Sequence, residues 1–491
     1  MRSLRSLPLC LTALAFDCGA NPNILVVNDF GDAGPGNCTS TCTLRDAIPV
    51  ALAAVPVKSI SFSAVGGSPQ TIALAQGQLV INNTSGSELL IVGPGTDKLA
   101  ISAGNLSRAL QVSGGSVDIV ALTIRDGRVA GTSPGTEPAN SGNPGQGGGT
   151  ALGGCIAVDE GATLTLELSD IRNCAAQGGT GGNGGSGDPN GGTGGVGGMG
   201  GIGGGGGSAS GGAIYSAGAL SLLRSSVVNA SAAGGPGGNG GNGGNGQFGA
   251  GAGGNAGPAG SAAGAGVAIA ASGSLLIRNT TLAGATATGG DGGIGGNGGF
   301  FSPSGNGGTG GNVTGGVLYV ASLVLADLEF ATLANGTAVA GDGGPPGSTG
   351  STLGLGGLPG VARGAGVYST GPNSVIFSSS VIVGSGGASL CFGSVGVDPG
   401  SVNLDQDSSC TGFTLHDTFA HVLMPLNLAT TGWPGYEPVF HSAIVDAAAG
   451  CVQIGGVVAV TNDQHGTARP QGAKCDLGAI ESDHVFANGF E

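Results

Sequence analysis

Apolar residues return along the chain at fixed offsets from a small turn residue. Counting back from Asn173, they stand two before (Ile171), seven before (Leu166) and nine before (Leu164). The same grouping reads Val117, Ile119 and Ile124 with Asp126, then Leu220, Leu222 and Val227 with Asn229, then Leu275, Ile277 and Leu282 with Gly284. It continues as Ala326, Leu328 and Leu333 with Asn335, and as Val375, Phe377 and Ile382 with Gly384. The last column, Asp126, Asn173, Asn229, Gly284, Asn335 and Gly384, holds only Asp, Asn and Gly, the residues that tolerate a left-handed backbone at a sharp turn. A spacing of two puts the first two apolar side chains on one face of a strand. Each unit is therefore predicted as strand, bend, strand, turn.

Successive turn residues lie 47, 56, 55, 51 and 49 residues apart, the self-similarity of a solenoid whose units bury their apolar faces only by stacking. Coils of an all-β parallel β-helix fit this pattern. A third strand per coil is expected in the runs that follow Gly pairs: Ile156-Ala157-Val158, Ile214-Tyr215, Val267-Ala268-Ile269, Val317-Leu318-Tyr319 and Val367-Tyr368. Between the coils lie Gly-rich tracts, roughly 141–154, 178–212, 234–266, 289–316 and 341–366, written in triplets such as GGT-GGN-GGS and broken midway by turn residues. Period three is that of a polyproline-II-type helix. The tracts are thus expected to leave the solenoid as hairpins of two extended arms that lie side by side, with flexible linkers as the competing reading. Calcium-roll repeats are excluded, because Asp188, Asp291 and Asp342 are isolated.

Composition narrows the function. Of 491 residues 110 are Gly and only 9% are charged, far from a helical globular domain. The net charge of −15 removes the basic footprint that nucleic acid requires. The first residues, MRSLRSLPLCLTALAF, have the basic and then apolar character of a short leader, so 1–20 is read as a signal peptide and the protein as secreted or displayed at the outer cell surface. No later run has the ~20 consecutive apolar residues of a membrane span. Eight cysteines beyond the leader fall in local pairs, Cys38 with Cys42, Cys155 with Cys174, Cys391 with Cys410 and Cys451 with Cys475; neighbour pairing into disulfides is expected, although sequence alone leaves connectivity open. Scattered His and paired Cys do not make a zinc site, and neither metal nor cofactor is expected.

Two blocks flank the coils. Residues 23–95 carry the best helical candidate, TCTLRDAIPVALAAV, and are expected to cover one solenoid end; 96–388 form the β-helix; 389–481, with Phe413, Phe419, Trp433 and Tyr436, form a second cap; 482–491 are a tail. Cys42-Thr43-Leu44-Arg45-Asp46-Ala47-Ile48 resembles the CSLREA motif near the N-terminus of exported bacterial right-handed β-helix proteins. Asp463-Gln464-His465-Gly466-Thr467-Ala468-Arg469-Pro470-Gln471-Gly472 with Cys475-Asp476-Leu477-Gly478-Ala479-Ile480-Glu481 resembles the ending of the choice-of-anchor Q type of such proteins, with His465 where that family has Arg. The resemblance implies export, a right-handed coil and few assigned activities. Within it, Arg45 and Asp46 are read as structural ions that close the cap.

Candidate chemistry is sparse. The acidic residues on the coils, Asp118, Asp126, Asp159, Glu160, Glu167, Asp170, Asp327 and Glu329, are read as not sharing columns, and Asp126 with Arg125 and Asp170 with Arg172 as solvated pairs. Aromatics are 4% of the chain, so platforms for sugar stacking are expected to be almost absent. No GxSxG elbow occurs. No catalytic residue is assigned. The leading reading is a non-catalytic adhesin or interaction scaffold, with extracellular polysaccharide or surface components as partners. A polysaccharide lyase or hydrolase on the same fold is the alternative, and ice or mineral binding through flat Gly-rich faces ranks third.

Overall fold

The computed structural model describes residues 24–34, 37–53, 59–66, 68–84, 86–189, 195–322, 324–371, 374–427 and 434–482. The leader, the tail beyond Ser482 and Trp433 lie outside the described residues.

The predicted apolar columns are ladders of parallel strands. Val117, Leu164, Leu220, Leu275, Ala326 and Val375 stand in direct register, as do Ile119, Leu166, Leu222, Ile277, Leu328 and Phe377. Ile124, Ile171, Val227, Leu282, Leu333 and Ile382 make the third stack. All eighteen side chains are buried in one continuous core. Every pairing between named strands is parallel, and the strands gather into sheets of 20, 8 and 5 members. The architecture is a parallel β-helix.

Three left-handed corners per coil turn the chain. Asp126, Asn173, Asn229, Gly284, Asn335 and Gly384 have φ between 54° and 65°. A second column lies five residues earlier, at Ala121, Leu168, Arg224, Asn279, Phe330 and Ser379, with φ between 48° and 56°. Holding an L-residue there costs about 1–2 kcal/mol each, and a buried hydroxyl ladder just inside the bend offsets it. The Ser169 amide donates to Ser225 Oγ (3.1 Å), the Ser225 amide to Thr280 Oγ1 (3.2 Å) and the Ala331 amide to Ser380 Oγ (3.0 Å). The third column, Gly153, Gly211, Gly264, Gly315 and Gly364, admits only Gly, since a Cβ would overlap the carbonyl oxygen three residues on.

Among the described residues the glycine tracts are hydrogen-bonded into a body of their own. Five hairpins give outgoing arms that stack in one layer and return arms that stack in a second. In the inner hairpins the first residue of a triplet donates to the next hairpin in its own layer and the second donates across layers: Gly184 N to Asn239 O (2.9 Å) and Gly185 N to Asn143 O (2.9 Å), then Gly200 N to Ala252 O (2.9 Å) and Gly201 N to Gly185 O (2.8 Å). The third residue's own amide is received by a side chain one hairpin back, as Ile294 N is by Asn239 Oδ1 (2.8 Å) and Asn297 N by Asn242 Oδ1 (2.9 Å). A Cβ on Gly184, Gly201 or Gly241 would overlap a neighbouring carbonyl, so close packing of the arms requires Gly at these points. The first hairpin begins at Gly131, earlier than the Gly triplets indicate; its outgoing arm, TSPGTEPAN, is an edge arm with one open side, where side chains fit. At the opposite edge Pro346 and Pro359 take the positions whose amide hydrogens would otherwise point outward unpaired.

At the N-terminal end, helix Leu44–Ala53 covers the first coil with Leu44, Ala47, Ile48 and Ala51. Thr43 and Asp46 cap it (Thr43 Oγ1 to Asp46 Oδ2, 2.8 Å), and Arg45 pairs with Asp32 at 2.8 Å. The C-terminal region divides differently from the expected single cap. Strands Cys391–Gly393, Val395–Val397, Leu404–Asp405 and Leu415–His416 continue the coil. Residues 419–427 and 434–482 then form a flap along the side of the solenoid, sharing a second apolar cluster with Val228, Ala283, Phe330, Ala334, Val381 and Val383. The cause is legible in one outward column: Arg125 and Arg172 are followed in register by Val228, Ala283, Ala334 and Val383, so only the later coils present an apolar flank to cover.

Candidate functional site

The outward side chains of the eight-stranded sheet form the column Gln111, Ala157, Tyr215, Ala268, Tyr319, Tyr368 and Phe392. Stacked strands lie ~4.8 Å apart, so aromatics placed here must meet. Tyr319 and Tyr368 lie 5.9 Å apart and 9° from parallel, and Tyr368 and Phe392 lie 5.5 Å apart at 3°. Ala157 and Ala268 are buried although they point outward, because the larger side chains in register on either side shelter them, Gln111 and Tyr215 for the first and Tyr215 and Tyr319 for the second. The three tyrosines are half-buried. Burial, and then the Asp159 carboxylate, push the Tyr215 phenol up from its ordinary value; burial and then Tyr368 do the same at Tyr319. Both hydroxyls stay protonated as hydrogen-bond donors at neutral pH.

Polar groups fringe this strip. Arg363 stands 4.8 Å over the Phe392 ring, and with Asn312, Thr314, Val361 and Tyr368 it lines a cleft of about 250 Å³ between the strip and the return arms. At the other end a relay runs from Arg108 to Gln78 (2.7 Å), Gln78 to Gln111 (2.7 Å) and Gln111 to Asp159 (2.7 Å). The arrangement offers flat apolar faces edged by donors and acceptors, along a line parallel to the solenoid axis. This corrects the expectation that aromatic platforms are almost absent: aromatics are few, but the repeat concentrates them. The signal was available, since Tyr215, Tyr319 and Tyr368 each follow a Gly corner by four residues.

The acidic residues also share columns, contrary to the sequence reading. Asp118 and Asp327 stand in one outward column and Glu167 and Glu329 in the adjacent one, though several coils separate the members of each pair. Asp118 is pushed up to about 7 by burial, then by its hydrogen bond to Glu88 and the charge of Glu88, with Glu167 adding to it. Asp170 is not part of a solvated pair: its carboxylate is buried beside Arg172 (3.1 Å) and accepts from Ser226 Oγ (2.7 Å), and burial raises its pKa against both. Arg125 and Asp126 pair at 2.8 Å nearer the surface. Glu160 is exposed. Glu329 pairs with Arg278 and receives the Ile454 amide (2.8 Å), which places it under the flap. Four disulfides link Cys38–Cys42, Cys155–Cys174, Cys391–Cys410 and Cys451–Cys475. Among the described residues, no group of three or more His, Cys, Asp or Glu is placed to hold a metal ion, and no helix is long and apolar enough to cross a membrane.

No family model and no curated protein matches the chain. Solved structures similar to it include the following two. The nine polyproline type II helical bundle antifreeze protein of the springtail Granisotoma rainieri is 18% identical, aligned over 48% of this chain and 94% of its own, with a TM-score of 0.14. The pectate lyase Pel9A is 11% identical, aligned over 93% of this chain and 96% of its own, with a TM-score of 0.32.

Proposed function

We propose that this protein is an exported, non-catalytic interaction scaffold of the kind its two end motifs resemble, and that the aromatic strip is its seat for an extended uncharged polymer, with extracellular polysaccharide as the partner class. The observation that carries this reading is the column Tyr215, Tyr319, Tyr368 and Phe392, set parallel to the axis between a cleft with Arg363 and a relay ending at Asp159. Tyr joins an apolar ring to a polar tip, which suits a ligand whose rings have apolar faces and hydroxylated edges. The net charge of −15 disfavours polyanions. Four disulfides fit an oxidising compartment.

The raised pKa of Asp118 is the observation that bears on the second reading, an enzyme on the same fold. Glycoside hydrolysis needs one protonated and one ionised carboxyl roughly 5–9.5 Å apart across the bond; Asp118, pushed up to about 7, supplies a protonated carboxyl, whereas Glu88 is hydrogen-bonded to it and stands too close to serve as the second. The pair lies apart from the strip, on the outer face of the 20-stranded sheet. Affinity electrophoresis against neutral and anionic polysaccharides, with parallel assays for reducing ends and unsaturated products, separates the two. Retention by neutral chains that is lost in Tyr368→Ala, without product, is expected. Product formation abolished by Asp118→Asn would replace the scaffold with an enzyme.

A further inference from the structure

The glycine arms end in tips that are tied into one ridge. The Phe248 amide donates to Gly195 O (2.8 Å), the Gly299 amide to Gly251 O (3.0 Å) and the Ser351 amide to Ser302 O (2.8 Å). The Phe300 amide donates to Asn245 Oδ1 (3.0 Å). On this ridge Phe248 is 78% exposed, Phe300 77% and Phe301 90%, with Leu353 at 63% and Val196 at 52%. Phe300 and Phe301 stand together, ring centroids 5.9 Å apart. Folded chains rarely leave three phenylalanines this bare on adjoining turns. The tip stretches 245–250, 299–304 and 349–353, which carry the three phenylalanines and Leu353, hold no charged residue, in a chain whose net charge is −15; Asp188 stands on the neighbouring tip beside Val196.

We propose that this ridge is a membrane-contacting edge, inserting Phe248, Phe300 and Phe301 into the interfacial zone of an uncharged lipid surface. The rings protrude, and a protein partner would need a matched pocket for each, whereas the acyl boundary of a bilayer yields to a convex apolar wedge. Without Lys or Arg the ridge gains nothing from anionic headgroups, and the acidic body is repelled by them. Phe300 and Phe301 share a cleft of about 470 Å³ with the polar side chains of Asn245, Thr349 and Ser351. The glycine bundle serves this edge mechanically, because hydrogen-bonded arms hold the tips in register and little ordering remains to be done on contact.

Flotation of the full chain with phosphatidylcholine vesicles and with phosphatidylglycerol vesicles tests this, alongside Phe300→Ser/Phe301→Ser and Phe248→Ser. Each substituted residue is exposed, and circular dichroism checks that the coil is unchanged. Co-flotation with phosphatidylcholine in preference to phosphatidylglycerol is expected, with partitioning lowered roughly tenfold per ring removed. Wild type that stays with the dense fraction, or variants that float equally well, would overturn the proposal. So would concentration-dependent self-association of the wild type, removed by the same substitutions and unaccompanied by flotation; the ridge would then be an interface between copies.

Discussion

The guanidinium of Arg469 lies 4.5 Å over the ring of Phe330, joining the C-terminal flap to a left-handed corner of the coil. Arg469 also donates to Glu481 (2.7 Å), Asp476 O (2.9 Å) and Gly478 O (2.7 Å), and neither it nor Glu481 has an exposed side chain. Glu481 in turn receives the amides of Gln471 (3.0 Å) and Asp476 (3.1 Å). The C-terminal motif is thus a knot of structural ions. Removing one partner of a buried pair costs about 3–5 kcal/mol because the other charge is left uncompensated. Arg469→Met is expected to release the flap, read as faster limited proteolysis within 434–482 while the coils stay resistant. Arg469→Met/Glu481→Gln should recover part of the loss.

At the corners the backbone, more than the side chain, sets the cost of substitution. Asn229 is exposed with φ of 55°, and Gly284, one coil on, has φ of 62°. Asn229→Gly is expected to leave the denaturant midpoint nearly unchanged, whereas Asn229→Ala should lower stability by about 1–2 kcal/mol.

In the glycine arms neighbouring positions differ sharply. Gly241→Ala places a methyl on the Gly185 carbonyl and is expected to separate two arms, exposing amides of that hairpin to rapid exchange. Asn239→Ala removes only the acceptor of the Ile294 amide (2.8 Å) and should cost about 1 kcal/mol.

Asp118 gives the fold a pH dependence of definite sign. Its folded pKa of about 7 lies above the ordinary carboxylate value of 3.8, chiefly through burial and then Glu88, so the folded state binds the extra proton between those values. This group's contribution to stability therefore falls as pH rises from about 4 to about 7. Asp118→Asn should flatten that slope and raise the midpoint of unfolding at pH 8 relative to wild type.

The sequence made the solenoid readable because its constraints repeat: an inward face forces Leu164, Leu220 and Leu275 into one column, and a left-handed corner forces Asn173 and Asn229 into another. The bend column was hidden because its positions carry Ala121, Leu168, Arg224, Asn279, Phe330 and Ser379, which share no side-chain property. Their conformation is imposed by the ladder beneath them. The aromatic strip was overlooked because overall aromatic content dilutes a feature confined to one outward column. The sequence pattern of the flap reads as an end cap, because the flank it covers emerges only from the register that sets Val228 beside Arg172.

The glycine arms are a folded body that carries the tips and borders the strip. Native-state amide hydrogen exchange on 178–188, 197–207, 234–244 and 251–260 tests this directly. Protection comparable to strands Thr163–Glu167 and Ala219–Leu223 is predicted; exchange at the rate of an unfolded polyglycine chain, with the coils still protected, would contradict it.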